Sequence, residues 1–302
     1  MYKFIAMNIF LSLMVTLGMA QNKSSESPVI AKGAKLNRLS DKYSFTEGTA
    51  VNKSGDVYFT DQPNNRIIKW SATDGSLSVF MDNAGRSNGM YFDNNGNLIT
   101  CADLKNQLWQ IDKDKKVTVL VDGYEGKLLN GPNDVWIDNK GGMYITDPFY
   151  ERDYWKRGPK EQDGECVYYL SPDKKKLTRV ADHLVRPNGI IGTPNNKHLY
   201  VSDINDKKIY VYNIQPDAKL TNRVLFVEKP SDGMTIDNQG NIYISNEAGI
   251  TIFNKKGEQI EQIPIEEKWT ANVCFGGKKR DKLFITASKS VYIIDMKVKG
   301  VR

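Results

Sequence analysis

The stretch LLNGPNDVWIDNKGGMYITD, residues 128–147, contains the pattern that decides the fold of this chain. A turn-forming Gly-Pro-Asn-Asp sequence leads into the apolar run VWI, and a second turn, DNKGG, separates it from the run MYITD. Short β-branched and aromatic runs bounded by Gly, Pro, Asn and Asp are typical of strands joined by a hairpin. The stretch therefore predicts two antiparallel strands entered through a polar turn.

The second strand of this hairpin recurs along the chain. The copies are GDVYFTD at 55–61, GNLITCAD at 96–103, GGMYITD at 141–147, KHLYVSD at 197–203, GNIYISN at 240–246 and DKLFITA at 281–287. They begin 41, 45, 56, 43 and 41 residues apart. A fixed period of this length is typical of repeat architectures in which each unit is one supersecondary structure.

Each copy is preceded by another short run, which has its own recurring pattern. Most copies are followed by a third strand, and often by a fourth. No segment has the pattern of a long amphipathic helix. We predict an all-β, six-bladed β-propeller with four-stranded antiparallel blades. The last unit, 271–297, is one strand short, and residues 35–43 are expected to supply its outer strand and close the ring. A β-sandwich would not explain strand signatures that recur in a fixed order.

The N-terminus differs from the rest of the chain. Lys3 precedes an apolar run over residues 4–20 that ends in Gly18-Met19-Ala20. This pattern predicts a signal peptide over residues 1–20, with an uncleaved membrane anchor as the alternative. We expect residues 21–34 to form a flexible segment and residues 35–302 to form a single propeller domain. The protein is then exported, to the periplasm or out of the cell.

Charge and cysteine content limit the partners. The net charge is +6, but the basic runs fall between predicted strands, where solvated hairpins explain them better than a nucleic-acid surface. The three cysteines are far apart and form no Cys-x-x-Cys pair, so neither a disulfide framework nor a thiolate zinc site is indicated. We expect no nucleic-acid partner, no membrane contact after signal cleavage, and a monomer or weak dimer.

One polar residue per repeat occupies the entry to the first strand. The set is Glu47, Asn88, Asn133, Asn188, Asp232 and Asn272. First strands line the central channel of a propeller, so these oxygen-bearing side chains are expected to meet at one mouth. Turn preference explains any single Asn or Asp, but a buried ring of unpaired oxygens is costly unless a cation binds it. The two carboxylates match a divalent metal; hard oxygen ligands favour Ca²⁺, with Mg²⁺, Mn²⁺ or Zn²⁺ as alternatives.

Four spaced motifs carry a resemblance to a known family. They are Phe45-Thr-Glu-Gly48, Gly131-Pro-Asn-Asp134, Arg186-Pro-Asn-Gly189 and Ser231-Asp-Gly-Met-Thr-Ile-Asp237. With them the chain resembles the senescence-marker-protein/gluconolactonase/luciferin-regenerating-enzyme family. The resemblance implies a metal-dependent hydrolase of carboxylic esters that opens a sugar lactone or a related small cyclic ester. It also implies metal ligands at Glu47, Asn188 and Asp232, with Asp232 as the general base.

The resemblance assigns Asn133 to the metal or to substrate beside it, while Asn88 is in register with these residues and is expected to face substrate. The longest interval between repeats contains the insertion PFYERDYWKRGPKEQDGE, residues 148–165. Long loops in compact domains are often functional, so Tyr150, Glu151 and Trp155 are predicted to form a substrate wall. The alternative is a loop packed on its own aromatic side chains.

Two other functions are compatible with parts of the sequence. A propeller with a structural Ca²⁺ serves equally as a non-catalytic module that binds a ligand or a protein. A serine esterase is suggested by Gly85-Arg-Ser-Asn-Gly89, which matches Gly-x-Ser-x-Gly. That motif requires a strand–turn–helix elbow, and no helix is predicted after it.

Overall fold

The computed structural model describes residues 26–301, and the regular secondary structure of this part of the chain is almost all β-strand. In chain order they are β1 (Asn37–Ser40), β2 (Thr46–Val51), β3 (Val57–Asp61), β4 (Arg66–Trp70), β5 (Leu77–Asp82), β6 (Ser87–Phe92), β7 (Leu98–Ala102), β8 (Gln107–Ile111), β9 (Val117–Val121), β10 (Val135–Ile137), β11 (Met143–Asp147), β12 (Glu165–Leu170), β13 (Leu177–Leu184), β14 (Pro187–Gly192), β15 (His198–Asp203), β16 (Lys208–Ile214), β17 (Leu220–Val227), β18 (Met234–Ile236), β19 (Ile242–Asn246), β20 (Gly249–Phe253), β21 (Gln259–Ile263), β22 (Thr270–Gly276), β23 (Lys282–Ala287) and β24 (Ser290–Asp295). A 3-10 turn, Asp103–Lys105, follows β7.

These strands form six four-stranded antiparallel sheets, which confirms the predicted six-bladed propeller. Blades one to five are β2–β5, β6–β9, β10–β13, β14–β17 and β18–β21. The second strand of each blade is apolar and buried on both faces because it packs between neighbouring blades; β3 and β7, for example, are buried throughout. The outermost strands, such as β17, are largely exposed.

The N-terminal strand closes the ring, as predicted. The sixth blade has the order β1-β24-β23-β22, and Asn37 and Arg38 pair with Ile293 and Tyr292. At the seam between the last and first blades, the ring centroids of Phe59 and Phe284 lie 5.6 Å apart. Because β1 pairs with β24, the edge of β24 is covered and the sixth blade joins the two ends of the described chain in one sheet.

Residues 26–34, part of the segment expected to be flexible, are instead packed against the sixth blade. Val29 is fully buried in the apolar cluster of blades five and six, and Ile30 pairs with Met296. The Oγ of Ser27 accepts a hydrogen bond from the backbone N–H of Ile30 at 3.0 Å. The expectation was wrong because SPVIAKGAK has no strand periodicity, although its apolar residues are buried by tertiary contact. The predicted signal peptide, residues 1–20, lies outside the described residues.

No helix within residues 26–301 is long and apolar enough to cross a membrane.

Aspartates form the hairpin turns between the first and second strands of several blades. The Oδ1 of Asp138 accepts hydrogen bonds from the backbone N–H groups of Lys140 at 2.8 Å and Gly142 at 2.9 Å. Asp93 and Asp237 make the equivalent pairs of bonds in blades two and five. The repeated Asp-Asn-x-Gly sequence is therefore a turn motif, since aspartate satisfies its own backbone there.

The glycine after the channel-lining residue lets the first strands of neighbouring blades approach closely. A Cβ atom on Gly48 would lie 1.9 Å from the carbonyl oxygen of Asn88, and one on Gly189 would lie 2.3 Å from the carbonyl oxygen of Asp232. Both obstacles are backbone atoms, which no side-chain rotation can move aside. Close backbone approach at these points sets the diameter of the channel mouth.

Gly48→Ala is therefore expected to cost about 3 kcal/mol of unfolding free energy, because the added methyl group forces two blades apart. Chemical denaturation followed by tryptophan fluorescence measures the loss. Gly158→Ala is the matched control, because a Cβ atom at Gly158 meets nothing within 4 Å. Equal stability of the two variants would show that the channel mouth tolerates a wider spacing.

Candidate functional site

A cavity of about 630 Å³ opens at one mouth of the central channel. Its walls are Phe45, Glu47, Gln62, Pro63, Asn88, Asn133, Tyr150, Arg152, Asn188, Ile204, Asn205, Lys207, Pro230, Asp232, Glu247 and Trp269. Five of the six repeat-related polar residues are among them, each contributed by a different blade. The propeller therefore brings together side chains that are up to 185 positions apart, from Glu47 to Asp232.

The sixth repeat-related residue, Asn272, does not line this cavity. Its Oδ1 accepts hydrogen bonds from the Oγ1 of Thr49 at 3.0 Å and from the backbone N–H of Val273 at 2.8 Å. Asp134 has a similar structural place: its Oδ1 accepts from the N–H of Val135 at 2.8 Å and its Oδ2 from that of Ile190 at 3.3 Å. These side chains hold strands together inside the channel.

Two buried carboxylates, Glu47 and Asp232, face the cavity. Burial raises the pKa of Glu47 well above its usual range, and the nearby charge of Asp232 raises it further. Burial also raises the pKa of Asp232, to about 6, against the lowering effect of hydrogen bonds from Trp269 and Asn188. The Nε1–H of Trp269 donates to the Oδ2 of Asp232 at 2.6 Å. Two desolvated acids that oppose each other's ionisation favour a bound cation between them.

The amide side chains complete an oxygen-rich donor set. Within residues 26–301, the side chains of Asn88 and Asn133 have no hydrogen-bond partner, although both residues are about 95% buried. The Nδ2 of Asn188 donates to the hydroxyl of Tyr150 at 3.0 Å, and no described donor reaches its Oδ1. Unpaired amide oxygens beside two carboxylates have the chemistry of a site for a hard divalent cation.

This donor set contains only two acidic side chains. Accordingly, no group of three or more His, Cys, Asp or Glu side chains suited to a metal occurs among the described residues. The fit to a cation therefore depends on the amides of Asn133 and Asn188 supplementing Glu47 and Asp232. Ca²⁺ accepts such mixed carboxylate and carbonyl ligands.

The 148–165 segment contributes one predicted wall residue and one that was not assigned. Tyr150 lines the cavity, as does Arg152, whose positive charge lowers the pKa of both Glu47 and Asp232. Glu151 points to solvent, and Trp155 packs against Gly131, with its Nε1–H donating to the carbonyl oxygen of Asp103 at 2.7 Å. The structure thus places Glu151 and Trp155 outside the cavity.

The sequence analysis missed Trp269 and Phe45 as cavity residues. Each immediately precedes the first strand of a blade, β22 for Trp269 and β2 for Phe45. An aromatic residue directly before a first strand could have indicated a cavity residue, because the N-terminal end of each first strand lies at the channel mouth.

Ser87 does not have the surroundings of a serine nucleophile. It begins β6 rather than a helix, and its hydroxyl donates to the carbonyl oxygen of Ala84 at 2.5 Å. The elbow that Gly-x-Ser-x-Gly requires is absent at this position of the described chain.

Comparison with known proteins finds relatives of which several are named gluconolactonase or lactonase. A family model described as "SMP-30/Gluconolactonase/LRE-like region" matches residues 45–289. The chain is 31% identical over 285 residues to the gluconolactonase of Zymomonas mobilis subsp. mobilis, covering 85% of this chain and 80% of that protein. It is 24% identical to the lactonase drp35 of Staphylococcus epidermidis, over 75% of this chain and 71% of the other. The structure of a gluconolactonase from Xanthomonas campestris superposes with a TM-score of 0.82 at 27% identity, covering 90% and 95% of the two chains.

Proposed function

Because this chain belongs to the SMP-30/gluconolactonase/LRE-like family, we propose that it is a hydrolase that opens the ring of a sugar lactone. The observation that carries the proposal is the cavity in which two buried carboxylates and three side-chain amides from different blades converge. The names of the similar gluconolactonases and lactonases support the same reaction.

We propose that one divalent cation is held by Glu47, Asn133, Asn188 and Asp232. Ca²⁺ is the favoured cation, and Mg²⁺, Mn²⁺ and Zn²⁺ are the alternatives. When bound, it would polarise the lactone carbonyl and offset the negative charge that develops on the carbonyl oxygen. The raised pKa of both carboxylates and the unpaired amide oxygens of Asn133 and Asn188 support this assignment.

Asp232 is suited to move the proton of the attacking water. A carboxylate oxygen accepts more than one hydrogen bond, so the bond from Trp269 orients Asp232 and leaves acceptor capacity for water. As the water oxygen adds to the carbonyl carbon, Asp232 accepts its proton, and the ring C–O bond then breaks. The same proton can pass to the departing alkoxide, so the ring opens to a hydroxy acid with Asp232 restored.

Turnover of a lactone panel tests this proposal. Glucono-, galactono- and xylonolactone and an aryl ester are each assayed with Ca²⁺, Mg²⁺, Mn²⁺ or Zn²⁺ added to chelator-treated protein. Acid release is followed by a pH indicator, and the spontaneous rate without protein is subtracted. We expect at least one sugar lactone to be opened, with the aryl ester a poorer substrate.

The alternative function predicts another result. If no compound is turned over while a cation still raises the melting temperature, the propeller is a cation-stabilised binding module. That outcome would reject the proposed hydrolase activity and support the proposed cation site.

A further inference from the structure

One wall of the cavity is formed by Arg152, which comes from the 148–165 segment rather than from a blade strand. Its side chain is 27% exposed and lines the cavity. Among the described residues, Nε is the one nitrogen of Arg152 that makes a hydrogen bond, which it donates to the Oδ2 of Asp103 at 3.2 Å. Among residues 26–301, no acceptor takes a hydrogen bond from its two terminal nitrogens, Nη1 and Nη2. These donors are therefore available to a molecule in the cavity.

Asp103 fixes the direction of this guanidinium from blade two. It is 97% buried, and its Oδ2 also accepts hydrogen bonds from the hydroxyl of Tyr154 and from the Nε2 of Gln62 at 3.4 Å. The indole of Trp155 donates to the main-chain carbonyl of the same aspartate. The aromatic residues of the segment thus anchor it to Asp103, which is a role other than the substrate wall first expected of Trp155.

Tyr150 holds the other side of the arginine. The guanidinium carbons of Arg152 and Arg186 lie 5.1 and 4.7 Å from the centre of its ring, and its hydroxyl accepts from Asn188. The arginine is therefore linked through one aromatic ring to a predicted ligand of the cation. A side chain braced on both sides loses little conformational freedom when a ligand binds.

We propose that Arg152 determines substrate specificity by donating hydrogen bonds from its terminal nitrogens to hydroxyl oxygens on the lactone ring. The inference rests on the proposed function and adds the substrate class, an uncharged polyhydroxy lactone. Asp103 already balances the charge of Arg152, so the remaining N–H groups suit neutral oxygen acceptors. At the rim, the exposed residues Lys207 and Glu247 carry opposite charges that cancel in the sum over the lining, and a divalent cation would balance Glu47 and Asp232. The cavity therefore offers no unbalanced positive charge to an anionic lactone.

The test compares three lactones with and without the arginine. Glucono-1,5-lactone carries ring hydroxyls, δ-valerolactone has the same ring size without them, and 6-phosphogluconolactone adds a charge. For Arg152→Gln we expect KM for gluconolactone to rise roughly 10- to 100-fold, as the loss of charge-assisted hydrogen bonds implies. A change in kcat should be the same for both uncharged lactones, because Arg152 also lowers the pKa of Asp232. KM for δ-valerolactone should not change. Asp153→Asn, at the exposed neighbouring position in the same segment, is the matched control.

Asp103→Asn examines the charge balance separately. It leaves the arginine charge uncompensated, so kcat/KM for the phosphorylated lactone should rise relative to gluconolactone. If that variant proves unstable by melting temperature, Arg152→Gln alone decides the matter. Equal changes in KM for gluconolactone and δ-valerolactone on Arg152→Gln, or a wild-type preference for the phosphorylated lactone, would overturn the inference while the hydrolase function stands. A wild-type protein that opens none of the three lactones would reject both.

Discussion

Replacing Asp232 by asparagine is expected to lower kcat/KM for a sugar lactone about a thousandfold at saturating cation, the middle of the range for a lost general base. Asparagine cannot accept the proton of the attacking water, although its amide oxygen can still accept the hydrogen bond from Trp269. Steady-state rates measured over a range of cation concentrations separate weakened cation binding from lost chemistry. A loss of rate that persists at saturating cation concentration is due to lost proton transfer.

The fold should tolerate this substitution. Burial raises the pKa of Asp232 to about 6, so at neutral pH burying the ionised carboxylate costs free energy, and a neutral amide avoids that cost. We expect the melting temperature without cation to stay level or rise slightly. Asp82→Asn is the matched control, since Asp82 is exposed on the outer strand of blade one, and it should keep full activity. If the Asp232→Asn variant keeps more than half of the wild-type kcat/KM, another group accepts the proton of the attacking water.

Removing divalent cations is expected to have the second large effect, a loss of at least about a hundredfold in turnover, because carbonyl polarisation supplies several kcal/mol. Returning a cation at 100 times its Kd should add about 2.7 kcal/mol of stability and raise the melting temperature by about 5 °C. Chelation, dialysis and cation titration in a thermal-shift assay measure both quantities on one sample.

The stabilisation by cation should depend on pH in a definite direction. The folded-state pKa of Asp232, about 6, is above its ordinary value of 3.8, so the native protein without cation binds the proton more tightly than the unfolded chain. Stability from this group is present at low pH and is lost as pH rises through about 6; the raised pKa of Glu47 acts in the same sense. Protons and cation compete for these oxygens, so the cation should raise the melting temperature more at about pH 7.5 than at about pH 5.

Glu47→Gln provides the control for site assignment, because it removes one of the two charges while keeping the shape of the side chain. The variant should need more cation for the same melting temperature and should show a smaller pH dependence. If chelation changes neither the activity nor the melting temperature of the wild-type protein, the cation hypothesis is wrong and the two carboxylates have another role.

The blade pattern was predictable because each repeat contains its own local signals. Turn residues, a buried β-branched run and a second turn recur in order, and each of these depends on neighbours only a few residues away. Ring closure was predictable too, because the last repeat lacks a strand and the chain before Glu47 contains one strand that does not belong to the first blade. Residues 26–34 were misjudged, since the burial of Val29 depends on blades that come more than 200 positions later.

Five of the six repeat-related polar residues meet in one cavity because register within a repeat fixes position around the ring. Asn272 follows the same register but turns to Thr49. The insertion has no such register. Glu151 and Arg152 are adjacent in sequence, yet one is exposed and the other lines the cavity. A loop takes its direction from what anchors it, and here the anchor is Asp103 in another blade.

The sequence by itself determined the six blades, their closure by the N-terminal strand, and the ring of polar residues at the channel mouth, because periodic local patterns encode all three. Only the tertiary structure decided that Trp269 orients Asp232 and that Arg152 rather than Glu151 or Trp155 faces the cavity. The physical reason is that these contacts join residues of different blades, 37 positions apart for Trp269 and Asp232 and 49 for Arg152 and Asp103. Their partners are chosen by packing and buried hydrogen bonds, which no local pattern records.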